Sequence, residues 1–100
     1  MQIQITLVRY TKELIATAEG DNIYGTITHD LRSVTRVKAV DLWIRDRCGG
    51  FSQMDYSHGM IMRPDSDILA DAVMINVYLS ALLDRIVHEA MRDWNGSRRK

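Results

Sequence analysis

Residues 67–94 read DILADAVMINVYLSALLDRIVHEAMRDW, and the recurrence of their apolar positions decides the fold class. Leu69, Val73, Val77, Leu79, Leu82, Leu83, Ile86, Val87, Ala90, Met91 and Trp94 follow the spacing of a helix with one buried side. Asp67 offers an oxygen to the free amides of a first turn, and Asn95-Gly96 supplies a stop. The spacing therefore predicts a long helix over 67–94 that organises the fold. At about 1.5 Å per residue it would be roughly 40 Å long, beyond the ~34 Å diameter expected for a chain of this length. Such a helix either breaks or packs its far end on something else. Its convincingly polar side is narrow, around Asn76, Ser80, Asp84 and His88. A homodimer seam along this helix and a bent helix buried in its own monomer are both open.

Working outward, Gln2-Ile3-Gln4-Ile5-Thr6-Leu7 alternates polar and apolar residues at period two, and Val8, Arg9 and Tyr10 continue a β-compatible composition. This predicts a strand with one buried face. Thr11 as a cap, Leu14, Ile15 and Ala18 on one face, and Gly20 as a stop predict a short helix over 11–19. Ile23 to Thr28 is rich in β-branched and aromatic residues and is expected to pair with the first strand, with Gly25 marking a bulge. Asp30 or Ser33 caps a helix over 31–48, in which Val34, Val37, Val40, Ile44 and Cys48 recur until Gly49-Gly50. Phe51 to Ser66 has no sustained period, holds Pro64, and reads as a long loop over one end of the molecule. Together these elements give an α+β class: a small antiparallel N-terminal sheet on two or three helices, with a long C-terminal helix.

At 100 residues, 46% hydrophobic and 26% charged, the chain fits a single domain with one core spanning 1–100. A formal net charge of zero gives no global pull toward nucleic acid or an anionic membrane, so a polyanion surface would have to be local. One cysteine excludes an internal disulfide and a multi-cysteine zinc site. MQIQITLVRY lacks the pattern of a secretory signal, and the apolar run from Ala72 to Leu83 is too short to span a bilayer. A cytoplasmic protein with no membrane role is the expectation.

Few residues suggest chemistry. His29, His58 and His88 are far apart, with no pair at the i, i+4 spacing of two metal ligands on one helix face. Asp55-Tyr56-Ser57-His58 holds an acid, hydroxyls and an imidazole, but neighbours in a loop do not generally face one another in a catalytic array. Cys48 lies near Arg45 and Arg47, yet it also continues an apolar helix face. Arg32, Arg36, Lys38, Arg45 and Arg47 form the most basic stretch, diluted by Asp41 and Asp46 and extended by Arg63 and Arg98-Arg99-Lys100. Met54, Met60 and Met62, with Phe51 and Ile61, suit either core cover or an adaptable contact surface. No catalytic residue, metal site or cofactor is expected.

Two family resemblances bear on function. Trp43-Ile44-Arg45, the Gly49-Gly50 pair, Ser52 to Arg63 with Tyr56 and Met62, and Asp71-Ala72-Val73-Met74-Ile75-Asn76 followed by Leu79 and Leu82 resemble part of the Q-type late antiterminators of lambdoid phages. That resemblance covers about residues 43–94 and implies binding to a host protein, RNA polymerase above all. The matching segment does not account for the DNA-binding part of such regulators. Trp43-Ile44-Arg45-Asp46-Arg47 followed by Asp55-Tyr56-Ser57, with Ile5 to Tyr10, is similar to flavin-dependent thymidylate synthases, which implies a flavin- or nucleotide-binding relative. There the family has histidine between the two arginines, whereas Asp46 would repel phosphate. The expected function is a small phage- or prophage-type regulatory binding protein and not an enzyme. Arg45, Arg47 and Arg63 would meet acidic groups or phosphates, and Met54, Met60 and Met62 would supply apolar contact. The alternatives are the flavin-type relative and a protein-binding inhibitor.

Overall fold

The computed structural model describes residues 2–20, 24–48, 52–54, 57–62 and 72–98. The chain is α+β: strands β1 (Gln2–Val8), β2 (Glu13–Glu19) and β3 (Tyr24–Asp30), helix α1 (Val34–Cys48), strands β4 (Ser52–Met54) and β5 (Ser57–Met62), and helix α2 (Ala72–Arg98). The strands form one antiparallel sheet in the order β3-β2-β1-β5-β4.

The alternation in β1 is realised as expected, with Ile3, Ile5 and Leu7 fully buried. Residues 11–19, expected to be a helix, instead form β2. Leu14, Ala16 and Ala18 alternate into the core, and the β-branched Ile15 and Thr17 take the other face. Leu14, Ile15 and Ala18 fit a helical face as well, but a strand here gives β1 a partner for every residue, from Gln2 opposite Glu19 to Val8 opposite Glu13. In that register Ile3 meets Ala18 and Ile5 meets Ala16, each a large side chain opposite a small one, and Leu7 meets Leu14.

β3 pairs with β2, not with β1 as expected, as strands adjacent in the chain usually do. Gly25 marks no bulge: it stands opposite Ala18 in an unbroken register. A Cβ at Gly25 would lie 2.8 Å from Ile75 Cγ2, so the missing side chain lets α2 settle onto the sheet.

The stretch expected to be a loop holds β4 and β5, with β5 filling the position beside β1. Phe51, Asp55, Tyr56 and residues 63–66 of that loop lie outside the described residues. The expected helix over 31–48 is present as α1. Ser33 caps it, its Oγ accepting a hydrogen bond from the Arg36 amide at 3.1 Å, whereas Asp30 binds Arg32. Val37, Ala39, Val40, Trp43 and Ile44 are buried, but Val34, expected on the apolar side, is exposed.

α2 is a continuous helix that passes through Asn95 and Gly96 instead of stopping there, and the expected start at Asp67 lies outside the described residues. Its buried side is Ile75, Leu79, Leu83, Ile86, Val87 and Ala90, while Val73 and Val77, expected in the core, face outward. A 27-residue helix is about 40 Å long and matches the longest dimension of the molecule, 45 Å against 26 and 24 Å, so no break is needed. α2 lies over β3 and β2, α1 over β5, and the helices pack side by side. Their buried side chains and those of β1 and β2 form one cluster. The opposite face exposes Gln2, Gln4, Thr26 and Thr28. Among the described residues no helix is long and apolar enough to cross a membrane.

Candidate functional site

The reversal from β1 to β2 creates a turn at Arg9–Lys12 that the helical reading of residues 11–19 concealed. Lys12 adopts the left-handed conformation, φ 59°, and its amide donates to the Arg9 carbonyl at 3.3 Å. The Lys12 carbonyl accepts from the Leu31 amide at 2.9 Å, fixing the turn against the chain as it leaves β3 for α1. Tyr10 at the tip is 80% exposed.

Behind the turn, α1 presents Asp41, a largely buried carboxylate with Arg9 at 3.8 Å and Arg45 at 3.3 Å. Two arginines on one carboxylate leave an excess positive charge at the surface. Helical spacing puts Val34, Lys38, Leu42 and Arg45 on the outer side of α1, and all four are exposed. The result is one surface of Arg9, Tyr10, Lys12, Val34, Lys38, Leu42 and Arg45. Its acidic member, Asp41, is already occupied by arginines. Arg32 borders it with its charge matched by Asp30, Nε to Oδ2 at 3.1 Å. Cationic groups with an exposed tyrosine and aliphatic side chains suit an acidic, partly apolar partner.

Two of the expected contact residues, Arg45 and Arg47, part company here. Arg45 belongs to this surface, but Arg47, two residues on, turns to the other side of α1. Its guanidinium lies 3.8 Å from the Trp43 ring centroid, donates to the Trp43 carbonyl at 3.2 Å, and sits 3.6 Å from Asp93. Arg47 therefore braces α1 against α2. Arg63 lies outside the described residues. Met54 falls in β4, and Met60 and Met62 stand opposite Ile5 and Ile3 in the β5 register.

Between the helices, Ala39, Leu42, Trp43, Asp46, Ala90, Asp93 and Trp94 line a cleft of about 70 Å³. Small-molecule pockets run to ~300 Å³ or more, so this cleft holds a few waters or one side chain rather than a flavin. The buried Trp43 Nε1 has no hydrogen-bond partner among the described residues. His29 Nδ1 lies 3.5 Å from Asp84 Oδ1, and among the described residues no group of three or more His, Cys, Asp or Glu could hold a metal ion. Asp55 and Tyr56 lie outside the described residues, and Ser57 and His58 are in β5.

Sequence reading reached Lys38 and Arg45 but missed Arg9, Tyr10 and Lys12. The available signal was the break at Tyr10-Thr11-Lys12 between two runs of alternating residues, 2–8 and 13–19. Comparison with protein-family models, with curated proteins and with solved structures returns no match.

Proposed function

We propose that this chain is a small phage- or prophage-type regulatory binding protein that occupies an acidic surface on a host protein, with RNA polymerase the first partner to test. One observation carries the reading: Arg9 and Arg45 pair with the largely buried Asp41, and Lys12 and Tyr10 on the adjoining turn, with Lys38, Val34 and Leu42 on the outer side of α1, are exposed. The chemistry of this surface is recognition, since it presents cations and apolar groups and no nucleophile beside a base. The resemblance of residues 43–94 to late antiterminators supports the choice of partner.

The test is retention of purified RNA polymerase by the immobilised full chain, with a DNA duplex and an RNA in separate arms. Retention of the polymerase that is lost in a Lys12→Glu/Lys38→Glu variant supports the proposal. Neither lysine holds Asp41, so the fold should survive the reversal. Retention of nucleic acid alone would replace the protein partner by a phosphate backbone. An unaffected double variant would remove this surface from the function.

A further inference from the structure

A second surface lies at the free edge of the sheet. β3 ends the strand order, and among the described residues only β2 pairs with it, so its outer row of N–H and C=O groups is open. Monomeric proteins commonly blunt such an edge with lysine, proline, a bulge or a very short strand. β3 uses none of these: Tyr24-Gly25-Thr26-Ile27-Thr28-His29-Asp30 contains no lysine or proline, runs for seven residues, and pairs with β2 without a register break.

An independent observation lies on α2. From Ala72 to Leu83 the helix carries no charged residue, yet Val73 and Val77 are 71% and 62% exposed, and Ser80 and Ala81 are exposed with them. Helical spacing places Val73, Val77, Ser80 and Asp84 along one side. The contact between Asp84 and His29 shows that this side leans toward β3. Asn76 Oδ1 lies 3.2 Å from where a Gly25 Cβ would sit, and eight residues later Asp84 reaches His29. Eight helical residues rise about 12 Å and the four strand residues from Gly25 to His29 span about 13 Å, so α2 tracks β3 over these turns. The open edge and the uncharged helix side are one continuous surface.

The geometry points to a two-fold homodimer in which β3 pairs antiparallel with β3 of a second copy and the Val73–Val77–Ser80 side of α2 packs on its own counterpart. An uncharged face gains nothing from a partner of either sign, whereas a second copy presents the same neutral face and the same unpaired edge, as an isologous interface requires. With the axis at Thr26, that residue meets itself, Gly25 meets Ile27, and Tyr24 meets Thr28. Asp30 then falls outside the overlap, so no like charges oppose one another. Because two helical residues keep pace with each strand residue, the helices cross near Val77 and Tyr78. Val77 then meets its own copy, Val73 lies beside Ser80 of the second copy, and Asp84 with His29 forms the polar rim. α2 packs on both β3 and β2, so its axis lies about half a strand spacing inside the edge; across the new strand pair the two helices stand ~10 Å apart, a normal helix packing distance.

Sedimentation equilibrium of the full chain up to about 100 µM should give twice the 11.5 kDa chain mass. Val77→Glu, at an exposed position, should return the single-chain mass with an unchanged circular dichroism spectrum. In a Cys48→Ser background, Thr26→Cys should form an intermolecular disulfide under mild oxidation, because facing Cα atoms of an antiparallel pair lie ~4.5–5.5 Å apart. Thr6→Cys, on the interior strand β1, should not. A single-chain mass at every concentration, a dimer that tolerates Val77→Glu, or no crosslink at Thr26→Cys would each overturn the proposal. The outcome is independent of the basic surface, which shares no residue with this one.

Discussion

At Gly25 the strand β3 and the helix α2 approach so closely that an added Cβ would meet Ile75 first. Gly25→Ala should destabilise the fold by about 1–3 kcal/mol, the usual cost of overpacking, measured by urea unfolding. The cost should shrink in an Ile75→Ala background, with a coupling of about 0.5–3 kcal/mol in the double-mutant cycle, and strictly additive effects would contradict the contact. Arg47 acts across the helix pair through the Trp43 ring, the Trp43 carbonyl and Asp93. Arg47→Ala should cost about 1–2 kcal/mol, and Arg47→Lys should recover part of that, because an ammonium keeps the charge but not the planar stack. The sequence around Arg47 shows only a basic run. That Arg45 and Arg47 do different work follows from a helix turning about 100° per residue, which sends one to Asp41 and the other to α2.

At the scale of elements, Ser33 fixes where α1 begins, and Ser33→Ala should lower stability by about 1 kcal/mol in thermal or urea denaturation. The alternation of β1 and the period of α1 were legible because each signal is local. β2 was not: Glu13–Glu19 satisfies both periods, and the choice is made by β1, which needs a neighbour. β5 hides for a related reason, since Ser57-His58-Gly59-Met60-Ile61-Met62 has little intrinsic strand character and gains its ladder from Ile3 to Val8, some fifty residues away. In α2 the apolar residues nearly encircle the first turns, so spacing alone did not decide whether Val73 and Val77 or Ile75 and Leu79 face the sheet. Gly25 decides it by admitting Ile75.

For the whole molecule, zero net charge conceals an uneven distribution. The turn at Arg9–Lys12 and the outer side of α1 collect positive charge at one surface, while the first turns of α2 and the edge of β3 carry almost none. Half of the basic surface was legible as a run of arginines and lysines in α1. The other half comes from a turn that exists only because β1 and β2 pair. Two surfaces of different character would let one molecule dimerise through the neutral face and leave two basic surfaces free, so a partner with repeated acidic sites would bind the dimer more tightly than a Val77→Glu monomer. The basic surface is proposed to bind an acidic partner. Its most direct test is the affinity of the full chain for purified RNA polymerase across a range of salt concentrations, with Lys12→Glu/Lys38→Glu beside it. Binding should weaken with salt, and the double variant should bind at least ~10-fold more weakly with a flatter salt dependence. Equal affinity and equal salt dependence in the two proteins, or no binding by either, would contradict it.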